Sequence, residues 1–385
     1  MKHKVYADVY NSSFDINVVL WKYFNDITKK VGHGDVVLIK PNMFMAEKGY
    51  YSNPELITAV AKYFKDFGAK VIVAERLMAL YQIFNTSHEI NKYAYVTSLD
   101  EVPTVKIKIE NALSLRQEIN VPTLILECDF LVGMPQFRTH ASVLMSNALK
   151  NMVGILPSYT TRIVHSVGLT EAIVDLNRIR KQDLIVSDLV GTIEGNYPIK
   201  GTPMIRDLVI IGDNAVAVDS VAAELSGFNQ AEIGYLQLAM DNNMGSLLFK
   251  DINLLNDINK LKFNCIKSEN QIGRKNIKII DDNEALCSEC KRFCISLANF
   301  LEEELNSDDE ITIAWGNNLS IQDIKNTKEN LILVGNCSYM FRKHGIYIDG
   351  CPPRAIQATA LLEWLKNNGD VSIDIINQCR WSNKN

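Results

Sequence analysis

The stretch Asp35-Val36-Val37-Leu38-Ile39-Lys40-Pro41-Asn42 decides the fold. It is a short apolar run that breaks at Lys40-Pro41-Asn42, which reads as a strand ending in a loop. From Asn53-Pro54 a helical pattern follows (Leu56, Ile57, Val60, Ala61, Phe64) and stops at Gly68. The proline stands at the first helical position and the glycine just past the end, as helix boundaries favour. Ala69 to Ala74 is again apolar and β-branched and closes on Glu75. Strand, helix and strand in that order make one βαβ unit. Such alternation predicts an α/β fold, a mostly parallel sheet with flanking helices.

Outward from this unit the alternation continues. Residues 102–109 and 123–133 are further strand candidates. Residues 142–153 and 169–179 read as helices, and 184–186 as a buried strand ending at Ser187-Asp188. Residues 189–204 contain Gly191, Gly195, Pro198, Gly201 and Pro203, which predicts a loop. Residues 208–211 read as a strand and 215–225 as a helix. The polar, irregular segment 250–280 places a domain boundary near 275. The division is then an α/β domain over 1–275 and a small α/β domain over 276–385. The second would hold a helix at 296–305, strands at 311–314, 331–334 and 346–348, and a last helix at 355–365.

Of the 385 residues 47% are hydrophobic and 22% charged, the profile of a globular protein. The net charge of −5 argues against a nucleic-acid or lipid-headgroup binder, because phosphates demand a basic face. No run of about 18 apolar residues predicts a membrane span. Residues 1–15 lack a charged start followed by an apolar stretch, so the expected location is cytoplasmic.

The cysteines are unevenly placed: only Cys128 and Cys265 precede position 280. Cys128, Cys265 and Cys379 read as small buried hydrophobes. Clustered cysteines in a reducing compartment are more often metal ligands than bridges. Cys287-Ser-Glu-Cys290 precedes a helix, Cys337 follows a strand in Gly335-Asn336-Cys337, and Cys351 lies in Gly350-Cys351-Pro352-Pro353. Sulfurs converging from loops beside glycines are what a buried cluster needs. Structural zinc is the alternative for such a set.

These elements resemble the proximal [4Fe–4S] site of nickel–iron hydrogenase small subunits and of the related complex I subunit. The resemblance covers about the last 100 residues and implies Cys287, Cys290, Cys337 and Cys351 as the four thiolates. Cys294 departs from the pattern and competes with Cys290 for one position.

The larger domain carries Ile39-Lys40-Pro41-Asn42, Pro135-Gln-Phe-Arg138-Thr-His140 and Asn147-Ala-Leu-Lys150-Asn151-Met-Val-Gly154. Further on come Asp188, Glu194-Gly195, Gly212-Asp213 and Ala217-Val-Asp219. In these elements residues 30–240 resemble the family called domain of unknown function 362, whose members often carry cluster-binding cysteines. Physically, Asn147, Lys150 and Asn151 share one face of a helix starting near His140. The free N–H groups at that start, by Thr139 or His140, would face an anion. Lys40 ends a strand, where ligands gather in open α/β sheets. Lys40, His140 and Lys150 are therefore candidate catalytic groups. Arg138, Asn147, Asn151 and His165 would complete a cationic pocket for a carboxylate or phosphate. A solvated helix face at Lys150 and a satisfied cap at His140 are the plain alternatives. Asp188, Glu194 and Asp219 are candidates for a divalent cation or a general base, with local capping and pairing by Asp213 and Asp219 as the plain alternative.

The resulting expectation is a cytoplasmic iron–sulfur protein, with a [4Fe–4S] cluster exchanging electrons with a small anionic substrate or a redox protein partner. An electron carrier or scaffold without its own substrate, and a non-redox enzyme on a carboxylate with a structural cluster, remain open.

Overall fold

A computed structural model describes residues 2–267 (without 48, 77, 78, 141, 142, 159, 161–163, 165, 166, 198 and 199), 276–281, 290, 293–295, 297, 298, 301, 310–316, 319–325, 327, 330–351, 353 and 355–367. The chain forms two compact units, Met1–Ser268 and Glu269–Asn385.

The first unit is built on strands β1 (His3–Val9), β2 (Val36–Pro41), β3 (Lys70–Glu75), β4 (Tyr95–Ser98), β5 (Thr104–Ile107), β6 (Ile119–Pro122), β7 (Phe130–Met134), β8 (Gln136–His140), β9 (Leu144–Ser146), β10 (Leu184–Asn196), β11 (Lys200–Gly212) and β12 (Ile252–Leu254). Ten of these form one sheet in the order β12-β1-β11-β10-β7-β2-β3-β4, with β8 on β10 and β9 on β8. From β10 through β7, β2 and β3 to β4 every pairing is parallel. The antiparallel pairings are β1 with β11, β11 with β10, and β8 with β9. β5 and β6 form a separate two-stranded ribbon.

The reason β2 sits in the interior of the sheet is visible in its alternation. Val37 and Ile39 enter one apolar cluster with Leu56, Ile57, Val60 and Phe64, whereas Leu38 enters the cluster on the other face. A strand covered by helices on both sides buries both sets of side chains, so it needs an unbroken aliphatic run. The helix Pro54–Asp66 is started by Asn53, whose Oδ1 accepts the N–H groups of Glu55 and Leu56 at 2.9 and 3.1 Å.

Four local readings are corrected. Residues 142–153 are not one helix. Leu144 (φ 65°) turns the chain into β9, which pairs back on β8, and only Ala148–Asn151 is α-helical before the 3-10 turn Met152–Ile155. Residues 189–196 and 200–204 are not loop but the facing arms of the β10–β11 hairpin, with Gly195 opposite Gly201 and Ile193 opposite Pro203. β1 pairs with β11 only from Leu208 onward, so Pro203 lies on an edge where its missing donor breaks no second ladder. Within 123–133 a short helix, Thr123–Glu127, precedes β7. Within 250–280, β12 pairs in parallel with β1, and Ile277–Asp281 is a strand of the second unit.

The second unit holds four parallel strands, β13 (Ile277–Asp281), β14 (Ile311–Trp315), β15 (Leu331–Val334) and β16 (Ile346–Ile348), in that order. Leu297, Ala298, Leu301 and Leu361 cover one face of this sheet together with Ile313, Ile332 and Val334. No helix among the described residues is long and apolar enough to cross a membrane.

Candidate functional site

At the carboxyl end of the parallel strands of the first unit lies a buried polar network around Lys40, the last charged residue of β2. Its ammonium donates to Glu75 at the end of β3, to Asn151 Oδ1 (2.9 Å) and to the Pro41 carbonyl (2.9 Å). Lys40 is 1% exposed. Burial pushes its ammonium below the usual lysine value, and the Glu75 carboxylate opposes that shift. Gly154 packs so closely that a Cβ there would lie 2.7 Å from Nζ. All three protons of this ammonium have acceptors inside the chain.

Arg138 on β8 is likewise buried and internally tied. Its guanidinium donates to Gln136 Oε1, to the Tyr197 hydroxyl (2.6 Å), to Asn42 Oδ1 (2.6 Å) and to the Tyr50 carbonyl (2.8 Å). It also stacks over the Tyr197 ring, 4.8 Å from the centroid. Desolvation lowers its affinity for a proton. It fastens the loop after β2 to the β10–β11 hairpin.

The short helix Ala148–Asn151 does not begin at His140. Thr139 and His140 belong to β8, where the Thr139 hydroxyl donates to the Gly195 carbonyl and the His140 ring stands 6.4 Å from the Tyr197 ring. The acceptor at the helix start is the chain's own: the Asp219 carboxyl accepts from Ala148 N (2.7 Å) and Leu149 N (3.1 Å). Asp219 is wholly buried, and desolvation outweighs those two bonds to push its carboxyl up to about 7. Asn147 is buried just before the helix, with its Oδ1 accepting from Ser187. Lys150 is half-buried. Asn151 joins Lys40, whereas Asn147, Arg138 and His140 stand in separate contacts. His165 lies outside the described residues.

The acidic candidates do not share a site. Glu194 is held by Arg206 through two bonds of 2.7 Å, by Thr192 and by the Ile266 N–H. Asp188 accepts from Asn53 N (2.6 Å) and Val190 N (2.8 Å), and burial raises its carboxyl to about 6. Among the described residues no three His, Cys, Asp or Glu side chains group to hold a metal.

What the sequence did not signal is a cleft of about 680 Å³ beside Asp188, formed by the loop after β2, the start of the helix Pro54–Asp66, and the β10–β11 hairpin. His88, Asp207 and Ile205 line it, and no motif pointed to them. Glu75 was legible in principle, since β2 and β3 are adjacent parallel strands and Lys40 and Glu75 close them at the same end.

In the second unit Cys337 follows β15 and Cys351 follows β16, both exposed. Their loops are fastened together: Gly335 N donates to Ile348 O (2.8 Å), Asn336 N to Gly350 O (3.0 Å), and Gly350 N to Asn336 Oδ1 (2.9 Å). Gly335 has φ 85°, and a Cβ on it would lie 3.1 Å from Cys290 Sγ and 3.6 Å from the Gly350 carbonyl. Cys290 therefore stands against the loop that carries Cys337, and that loop is bonded to the one that carries Cys351. Cys294 is fully buried in the apolar cluster of this unit, and Cys287 and Cys379 lie outside the described residues. Cys128 and Cys265 are buried in the core of the first unit.

Residues 37–224 match the family described as Domain of unknown function (DUF362). A thylakoid-associated protein of Synechocystis sp. is 23% identical over 215 residues, which are 52% of this chain and 65% of that protein. The chain thus spans less than two thirds of that relative's length. Among solved structures, the lactate racemase apoprotein from Thermoanaerobacterium thermosaccharolyticum superposes with a TM-score of 0.41 at 10% identity, covering 93% of this chain and 89% of that one. The family match runs from β2 to the helix Ala215–Leu225, and so takes in Lys40, Glu75, Arg138, Asn151, Asp188 and Asp219 but not the cysteine-bearing unit.

Proposed function

We propose that this protein is an iron–sulfur protein of a reducing compartment such as the cytoplasm, with a [4Fe–4S] cluster on Cys287, Cys290, Cys337 and Cys351 that exchanges single electrons with a small molecule or a redox protein partner. The observation that carries this reading is the position of Cys290 Sγ against Gly335, whose loop is bonded to that of Gly350 and Cys351. Three cysteine-bearing segments thereby come to one end of a parallel sheet. The donor set is soft and thiolate-rich, as such a cluster requires. Glycine at φ 85° and 124° beside the thiolates allows backbone amides to approach inorganic sulfide. The bound cluster would supply one-electron chemistry at a potential set by those amides and by solvent access. The exposure of Cys337 and Cys351 favours electron exchange with something outside the chain.

A carrier without its own substrate is the second reading, and the internal partners of Lys40 and Arg138 favour it. Both cations expected to hold an anionic substrate are already bonded to groups of the chain.

Iron and acid-labile sulfide would be measured on protein purified without oxygen, with an absorption spectrum. About four irons and four sulfides per chain, with visible absorption bleached by dithionite, support the proposal. One zinc per chain and a colourless protein would replace it with a structural clip.

A further inference from the structure

We infer that the cleft beside Asp188 binds an organic cation, an amine carried on a compact apolar body. Its volume of about 680 Å³ is in the range of small-ligand sites, and it opens at the carboxyl end of the sheet, where α/β folds place ligands. The inference rests on the first unit alone and is independent of the cluster.

The walls supply the apolar half of the argument. Val190, Pro203, Met204 and Ile205 line the hairpin side, and Pro54 the helix side. Ile205 is 75% exposed although it lies inside a paired strand opposite Gly191. A Cβ on Gly191 would meet only Gln136 Nε2, at 3.9 Å, so the space before it is open.

The polar half is acidic. Asp188, Glu55 and Asp207 line the cleft, and no lysine or arginine does so among the described residues. His88 also lines it, but its Nδ1 accepts the Ile90 N–H at 3.1 Å, which requires that nitrogen unprotonated. The amide groups that could have held an anion are already used. Gln136 Nε2 donates to the carbonyls of Gly49 and Gly191, both at 2.8 Å. The helix start is answered by Asn53 Oδ1, and the Asn53 N–H by Asp188. An entering carboxylate would meet three carboxylates, against which the cleft sets only neutral donors such as the His88 Nε2–H and the Tyr51 hydroxyl. An entering ammonium would meet their charge, and the apolar body behind it would displace water from Met204 and Ile205.

The test uses two probes with the same apolar body and opposite charge, phenethylammonium and phenylacetate, titrated into the full chain at pH 8 by calorimetry. Phenethylammonium should bind saturably and phenylacetate at least about ten-fold more weakly. Glu55→Gln and Asp207→Asn should each weaken phenethylammonium about two- to five-fold, the range of single exposed charge pairs. Asparagine tolerates the positive φ of Asp207 (51°), and circular dichroism checks that both variants fold. Gly191→Leu fills the cleft without changing its charge and should abolish binding. Equal or tighter binding of phenylacetate, no saturation by either probe, or phenethylammonium binding that survives Gly191→Leu would each overturn the inference.

Discussion

Lys40 and Asn151, 111 residues apart, bond each other twice: the ammonium donates to Asn151 Oδ1 at 2.9 Å, and Asn151 Nδ2 returns a bond to the Lys40 carbonyl at 3.1 Å. The end of β2 is thereby locked to the helix Ala148–Asn151, with Glu75 closing the network from the neighbouring strand. Lys40→Met removes the principal cation and leaves Glu75, which is 4% exposed, with the Arg76 N–H at 2.7 Å and the Arg76 guanidinium at 3.9 Å. Removing the principal partner of a buried charge costs up to about 3–5 kcal/mol, so the urea midpoint of the variant should fall by an equivalent of that order. The double variant Lys40→Met, Glu75→Leu should recover much of the loss. A single variant within about 0.5 kcal/mol of wild type would remove Lys40 from the framework and return it to the candidates for catalysis.

Gly154 makes the second prediction. A methyl there would sit 2.7 Å from Lys40 Nζ and 3.1 Å from Glu75 Oε1. A flexible lysine tip could ordinarily yield, but this one is held by three acceptors. Gly154→Ala should therefore destabilise by about 1–3 kcal/mol in the same urea assay, whereas an unchanged midpoint would mean that the ammonium can move at no cost.

The elements that local chemistry specifies were legible. Val36 to Ile39, the Asn53 cap and Gly68 define strand, helix and stop within thirty-odd residues, because propensity, capping and burial agree there. The hairpin at 189–204 was not legible, since its glycines and prolines oppose strand formation locally and only pairing with β10 and β8 overrides them. The helix start at Ala148 was misplaced for a related reason. Its capping carboxylate is Asp219, 71 residues away, and no local residue announces it. The candidate site suffered most from this. Lys40 at a strand end, Arg138, and Asn151 on a polar helix face were identifiable as candidates, but polar residue order does not reveal whether a cation faces a ligand or an internal carboxylate. The cysteine-bearing loops, in contrast, lie next to the strands that position them.

Asp219 gives a prediction in pH. Its folded carboxyl is raised from 3.8 to about 7 by burial. Between those values the folded chain keeps a proton that the unfolded chain has released. Stability from this group is therefore full below pH 3.8 and is lost as pH rises through about 7, by about 2–4 kcal/mol. Asp219→Asn cannot ionise and should show a shallower fall in unfolding free energy between pH 5 and 8. It should also be less stable than wild type at pH 5 by about 1–3 kcal/mol, because its amide leaves one helix N–H without an acceptor. Parallel stability–pH curves for the two proteins would show that Asp219 is ionised throughout.

Cys290 and Cys294 separate by what surrounds their sulfurs. Both lie in the apolar cluster of the second unit, but Cys290 Sγ faces Gly335, in the loop that carries Cys337, whereas Cys294 is fully buried within the cluster. With iron content as the readout, Cys290→Ser should lose most of the iron and Cys294→Ser should keep it. Cys294→Ser places a hydroxyl in an apolar cluster, so it should instead lower stability by about 1–3 kcal/mol. Gly335→Ala links the two observations. It forces a left-handed backbone on alanine and sets a methyl 3.1 Å from the Cys290 sulfur, so iron should fall although every thiolate is retained. Iron lost from Cys294→Ser and kept in Cys290→Ser would exchange the two assignments. Iron unchanged in Gly335→Ala would mean that the Cys290 sulfur is free to swing away from Gly335, and that its present position does not define the ligand geometry.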